Sequence, residues 1–369
     1  TARNITFQRN RATGAEGNGG GLMNSGASAN LTGTSLTFNS NSANRAGGAI
    51  ENQGGAVMEL IRPLVSANSA TTMPGNGGGL HTVNGSVRVA GGSFIDNVAA
   101  AEGGGLWASG ILNIERDGDA GTQITNNLAS GTPADQGGGG VFNAGGNVSI
   151  TGASILDNRA TNGSGSGGGI FNRAGELLLT DVIVSGNLAN RAGGGLETSN
   201  AQNVTLNNVT MSMNLAGVAP AFSSPGNGGA IHVSGTGQIA INDSSFSDNM
   251  ADREGGALWN SGAGATMNVT RTLLENNTAL GNSAHDGGGA IFNNGGQLNV
   301  EMSTIRNNAA SGTSGSGGGI LNLTGDVAVN ETLFTGNSAV RAGGAFEDNA
   351  NGDSASVVAR QTNVTITRS

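Results

Sequence analysis

The sequence predicts an all-β chain wound as a right-handed parallel β-helix of about twelve coils of roughly 30 residues. Three observations carry this. First, an apolar residue, two variable residues, Asn, one variable residue and Ala recur twelve times, with the asparagines at Asn10, Asn41, Asn68, Asn97, Asn127, Asn158, Asn187, Asn214, Asn249, Asn277, Asn308 and Asn337. Second, two to four small residues, mostly Gly, follow each of these before an apolar residue: Leu22, Ile50, Leu80, Leu106, Val141, Ile170, Leu196, Ile231, Leu258, Ile291, Ile320 and Phe346. Third, the intervening stretches, such as "ELLLTDVIV" and "QLNVEMSTI", alternate apolar and polar residues. That period of two marks strands with one buried face.

Each element then has a reason. Glycine before the first strand permits backbone angles that other residues resist. The first strand carries the core residue of the Ile50 series. The second carries the inward apolar residue of the Asn motif, such as Phe7, Phe38, Phe94, Phe246 and Phe334. The corner Asn is expected to bond its amide to the asparagines above and below, and to tolerate a left-handed backbone. Ala two residues later fits a narrow third side. Three short strands with three turns cannot bury an apolar face alone, so coils must stack on neighbours. With rungs about 4.8 Å apart, twelve coils would give a rod roughly 55–60 Å long, and the crossover rule favours the right hand.

Composition agrees. Of 369 residues 68 are Gly and only 5 Pro, and there is no Gly-X-Y period, which excludes collagen. Only 11% of residues are charged, too few for a charge-driven disordered chain. The net charge is −9, the 16 basic residues are all Arg, and no basic cluster is present, which argues against nucleic acid. Absence of Cys removes disulfides and thiolate metal sites. No apolar run is long enough for a membrane-spanning helix.

The phrases "GGAI" at 47–50, "FNSN", "FIDN", "FSDN" and "FTGN" resemble the GGA[ILV] and FxxN repeats of the chlamydial polymorphic membrane proteins, and more widely those of bacterial right-handed β-helix surface proteins. The resemblance covers the whole chain. It implies an extracellular or cell-surface passenger, often adhesive. The outer-membrane barrel and the cysteines of the chlamydial family are missing from this sequence.

A longer period lies above the coil. "NRAGGAIENQ" at Asn44, "NRAGGGLETS" at Asn190 and "VRAGGAFEDN" at Val340 begin 146 and then 150 residues apart. The spacing from each ladder Ala to the next core residue runs 10, then 7, 10, 7, 12, 10, then 7, 15, 7, 12, 10, then 7, a cycle of five coils. The chain thus reads as a single β-helix segment, 1–369, of a longer protein: a partial cycle 1–43, full cycles 44–189 and 190–339, and a partial cycle 340–369. The residue after each core position points to the opposite face of its strand. In order these are Met23, then Glu51, His81, Trp107, Phe142, Phe171, then Glu197, His232, Trp259, Phe292, Leu321, then Glu347. This stripe is the candidate surface for a partner or a glycan, by apolar docking or by stacking of Trp and Phe on sugar rings. The competing expectation is that loops such as "ASGTPADQ" and "ALGNSAHD" cover the aromatics. Arg45, Arg191 and Arg341 each precede a stripe Glu by six residues and are expected to form surface ion pairs with them.

Other signals are weak. Many Asn-x-Ser/Thr sequons follow from a composition rich in Asn and Thr. "DGD" at 117–119 and "DNANGD" at 348–353 lack the full ligand spacing of calcium loops, so neither a metal nor another cofactor is implied. His285 beside Asp286 reads as a solvated loop. Glycosidases need two carboxylates on one cleft, but Glu51, Glu197 and Glu347 are five coils apart. No Lys is available as a lyase base. Regular Thr-x-Thr rows for ice binding are absent. The expected function is therefore non-enzymatic: a bacterial surface fibre, stalk or adhesin shaft, self-associating end to end or laterally, or engaging a surface or glycan ligand. The alternative is a carbohydrate-binding or polysaccharide-degrading β-helix. "NITFQRN" at 4–10 and "NVTITRS" at 363–369 hold the same place in a coil, so the functional molecule is expected to be longer than 369 residues, or to stack in register.

Overall fold

The computed structural model describes residues 1–200, 203–218, 225–262 and 264–349, and the backbone of Val364–Thr367. The chain forms two compact units, Thr1–Ala189 and Asn190–Ser369. Both are right-handed parallel β-helices, with seven of the ladder asparagines in the first and five in the second.

A coil of the first unit shows how the sequence sets the winding. Leu80–Val83 and Ser86–Ala90 form the long first side, Ser93–Ile95 the second and Val98–Ala99 the third. In some coils the first side is a single bent strand, as in Val141–Thr151 and Ile291–Glu301. The coils pair in parallel with the predicted register. Leu22, Ile50, Leu80, Leu106, Val141 and Ile170 stack in the first sheet of unit one. Phe7, Phe38, Val65, Phe94, Ile124, Ile155 and Val184 stack in its second sheet. The ladder alanines stack in the third. Unit two repeats this, with Met211, Phe246, Leu274, Ile305 and Phe334 along its second sheet.

The glycine before each first strand is required at one spot. Gly47, Gly77, Gly103 and Gly138 have φ near +60°, and a Cβ there would lie 2.4 Å from the carbonyl oxygen three residues on. The next glycine has a different reason. A Cβ on Gly48 or Gly104 would sit 2.2–2.4 Å from the carbonyl of the glycine one coil ahead. One glycine sets the turn and the other lets coils approach.

The asparagine ladder is present and its geometry is fuller than expected. The Asn68 side-chain amide donates to Asn97 Oδ1 at 3.0 Å and to the Phe38 carbonyl at 3.1 Å. Asn97 Oδ1 also accepts the Asn68 backbone N–H at 3.1 Å. The pattern runs from Asn10 to Asn187 in unit one and from Asn214 to Asn337 in unit two. Both amide donors and both acceptor lone pairs are thereby used. The left-handed backbone, however, falls on the residue before the ladder Asn: Ala67, Asp96, Asn126, Asp157 and Met213 all have φ of 53–57°. The ladder Asn stays out of that region because its own N–H must point at the next Oδ1.

Candidate functional site

The stripe residues come together as expected in sequence order but lie buried. In unit one Glu51, His81, Trp107, Phe142 and Phe171 are at most 8% exposed, and in unit two Glu197, His232, Trp259, Phe292 and Leu321 are at most 9% exposed. At the two ends of the series Met23 is exposed and Glu347 is partly open. Glu347 apart, the residues proposed to meet a partner or a glycan therefore do not present their side chains to solvent. Trp107, Phe142 and Phe171 form their own cluster with Val83 and Ala144, and Trp259, Phe292 and Leu321 form another with Leu323.

Beside the stripe runs a row of residues that strand alternation does not report, two of which bond the tryptophans. Four positions before the core residue several coils make a parallel bridge to a neighbour: in unit one Asn18 with Ala46, Ala46 with Asn76, and Gly137 with Ser166. In unit two Ala192 pairs with Asn227, Asn227 with Glu254, Gly287 with Ser316 and Ser316 with Ala342. This row runs beside the stripe, and Glu102 and Glu254 occupy the places next to the two tryptophans. Trp107 Nε1–H donates to Glu102 at 2.8 Å, and Trp259 Nε1–H to Glu254 at 2.9 Å. The signal was a fixed offset of four before the core residue.

Within the stripe each residue packs on the next. His81 Nδ1 lies 2.9 Å from Glu51 Oε2, and its ring stacks on Trp107 at 4.3 Å between centroids. Trp107 stacks parallel to Phe142 at 6.4 Å, and Phe142 meets Phe171 edge-on at 5.1 Å. In unit two His232 Nδ1 is 2.7 Å from Glu197 Oε2, out of line for a hydrogen bond, so that contact is an ion pair in geometry only. His232 stacks on Trp259 at 4.2 Å. Each unit thus carries a polar pair at one end of its stripe and stacked rings beyond it.

The two units neutralise their buried glutamates differently. In unit one Arg173 reaches back to Glu102 at 3.2 Å and lies 5.2 Å from the Phe142 ring centre. The matching position in unit two is Leu323. There Arg253 stands 3.6 Å from Glu254 and 2.7 Å from Asp286. Asp286 is buried rather than solvated as expected, because it balances Arg253. Burial raises the carboxyl pKa of Glu102, and burial likewise pushes Glu254 up to about 7, against the opposing hydrogen bond from Trp259. Asp286 is held below its ordinary value: burial is the largest single effect and raises it, but the hydrogen bonds from Arg253 and Ser283 and the Arg253 charge together outweigh burial.

The expected arginine pairs divide. Arg341 does bond Glu347. Arg45 instead approaches Glu16 at 3.5 Å, since Glu51 is committed to His81. Asp117 of the "DGD" loop pairs with Arg62 at 3.0 Å. Part of the "DNANGD" loop lies outside the described residues. A second polar ladder also escaped the sequence reading. Two residues after the core position, Asn143 donates to Asn172 at 2.7 Å, and Asn260, Asn293, Asn322 and Asp348 form a chain with bonds of 2.8–2.9 Å. The repeated Asn in "VFN", "IFN", "LWN" and "ILN" was its signal.

No protein-family model matches the chain, and comparison with curated proteins and with solved structures finds no match. Among the described residues no helix is long and apolar enough to cross a membrane, and no group of three or more His, Asp or Glu side chains is placed to hold a metal ion.

Proposed function

We propose that the chain is a non-catalytic structural segment of an extracellular bacterial surface protein, a fibre, stalk or adhesin shaft akin to the β-helix surface proteins its repeats resemble. The observation that carries this reading is the fate of its reactive side chains. Glu51, His81 and Trp107, with their counterparts Glu197, His232 and Trp259, are spent on packing and internal pairing. Within each unit successive coils are meanwhile tied together by asparagine bonds. A mechanical element needs this uniform cross-linking, whereas a catalytic one needs polar groups left open to a substrate. Five coils are the proposed building unit. The ordered series of Glu, His, Trp, Phe and a final apolar residue supports it, beside a wall of Ala, Asn, Glu, Gly and Ser in both units.

The test is antibody labelling of intact source cells before and after external protease treatment, with the purified chain also incubated with a panel of polysaccharides. Labelling of unpermeabilised cells that protease removes, with no new reducing ends released, is the expected result. Label that appears only after permeabilisation would overturn the surface assignment. Release of reducing ends or unsaturated sugars would overturn the non-catalytic one.

A further inference from the structure

With the stripe buried, recognition of a ligand has to come from groups left facing solvent. In unit one the corner between the second and third strands offers such groups. Asp96 and Asn126, on successive coils, are exposed in left-handed conformation, and the Asn126 amide donates to the Asp96 carboxylate. Beside them the outward residues of the third strands are Val98, Leu128 and Arg159. Together with Thr161 these residues line an open groove of about 300 Å³.

We propose that this groove binds a carboxylate-bearing sugar residue of a glycan. Arg159 is the first reason. Arg88, Arg173, Arg253, Arg271 and Arg306 each lie within ion-pair distance of a carboxylate. Among the described residues none pairs with the Arg159 guanidinium, although the chain carries a net charge of −9. The neighbouring Asp157 is turned along its own corner, where an added Cβ on Gly186 would lie 2.4 Å from its Oδ1. A planar guanidinium with free donors matches a carboxylate in two-point geometry. The second reason is spacing. Asp96 and Arg159 are two coils apart, roughly 10 Å at the rung spacing of parallel strands. That span fits a sugar with its carboxylate at Arg159 and its hydroxyls donating to Asp96. The third is the floor: Val98 and Leu128 give an apolar strip for the C–H face of a pyranose ring, while Asn126 and Thr161 supply further polar atoms at the edge. The volume suits one sugar residue with its chain continuing into solvent.

Unit two supplies an internal control. The same places there hold Asp248, Met250, Asn276, Thr278, Ala309 and Ser311. The acid and amide persist, but the cation and the leucine are gone. One acidic-sugar site per chain is therefore expected.

The experiment is calorimetric or NMR titration of the full chain with a galacturonate trisaccharide, with sialyllactose and with uncharged lactose. One or both acidic probes should bind saturably at millimolar concentration or below, with one site per chain and no comparable response to lactose. Arg159→Ala should weaken binding by about tenfold or more. Unit two already folds with Ala309 at that place, so the melt of this variant should be unchanged. Ala309→Arg combined with Thr278→Leu should raise the number of sites to two. Any one of three results would overturn the proposal: no saturable binding of either acidic probe, equal binding of lactose, or binding indifferent to Arg159→Ala.

Discussion

At the scale of single residues, the twelve asparagines earn their place by stoichiometry. Each buried amide must satisfy two donors and two lone pairs, and the helix offers a matching set: the next Oδ1 and a carbonyl one coil back for the donors, and a backbone N–H and an amide for the oxygen. Aspartate has the oxygens without the donors, and glutamine is a methylene too long. Asn158→Ala leaves the Asn127 donors and the Ile124 carbonyl without partners at a site that is fully buried. The expected loss is about 1–3 kcal/mol. Asn158→Asp should cost at least as much, since a carboxylate cannot donate to the Ile124 carbonyl and would be buried beside it. Denaturant melts of the two variants check this, and a wild-type midpoint for either would dismiss the ladder as a source of stability.

At the scale of elements, the strands and their order were legible because both of their signals are local. Alternation sets the faces, and the Gly-Gly and Asn landmarks set the corners. The stripe was half legible. Residue order along it followed from the strand period, but burial did not, and the row beside it lies four residues earlier, beyond the strand itself. No rule of alternation reports that a residue such as Glu102 or Glu254 will bond the tryptophan on the outer face. The left-handed corner was misplaced by one residue for a related reason: Ala67 and Met213 carry no glycine-like signature, and only the bond geometry of their neighbours puts them there. The wall also gives unit two a pH response. Glu254 titrates at its ordinary 4.5 when unfolded and at about 7 when folded. The native state therefore holds a proton that the unfolded chain releases, and this contribution to stability is complete below about 4.5 and lost as pH rises through 7. Its full size is of order 1–3 kcal/mol. Glu254→Gln keeps an acceptor for the Trp259 N–H and removes the titration. The variant should lose less stability than wild type between pH 5 and 8, read by denaturant melts of unit two through Trp259 fluorescence. Parallel pH profiles would show that Glu254 does not hold that proton.

At the scale of the whole molecule, stacking is set by two kinds of column that carry different information. The asparagine and alanine columns are the same in every coil, so they cannot distinguish one neighbour from another. The buried stripe can. His81 belongs between Glu51 and Trp107, and His232 between Glu197 and Trp259, because the ring nitrogen meets the carboxylate on one side while the ring face meets the indole on the other. Deleting Asp252–Ala279, one coil, removes Glu254 and Trp259 and would set His232 against Phe292, with Asn227 beside Gly287. The ladders would close, but the His–Trp stack and the Trp–Glu hydrogen bond would be gone. Deleting Asn190–Ala339, five coils, would instead place Glu347 after Phe171, and unit two shows that Glu347 follows Leu321 in the same place. In a repeat protein stability grows with the number of coils and the quality of each interface. Length alone thus favours the one-coil deletion, which keeps four more coils. The expected result is the reverse order: the five-coil deletion should melt cooperatively at the higher midpoint, and the one-coil deletion at the lower one with a broadened transition. Thermal melts of both proteins decide it. A one-coil deletion as stable as the longer one, or more so, would mean that the stripe fills space without selecting which coil stacks on which.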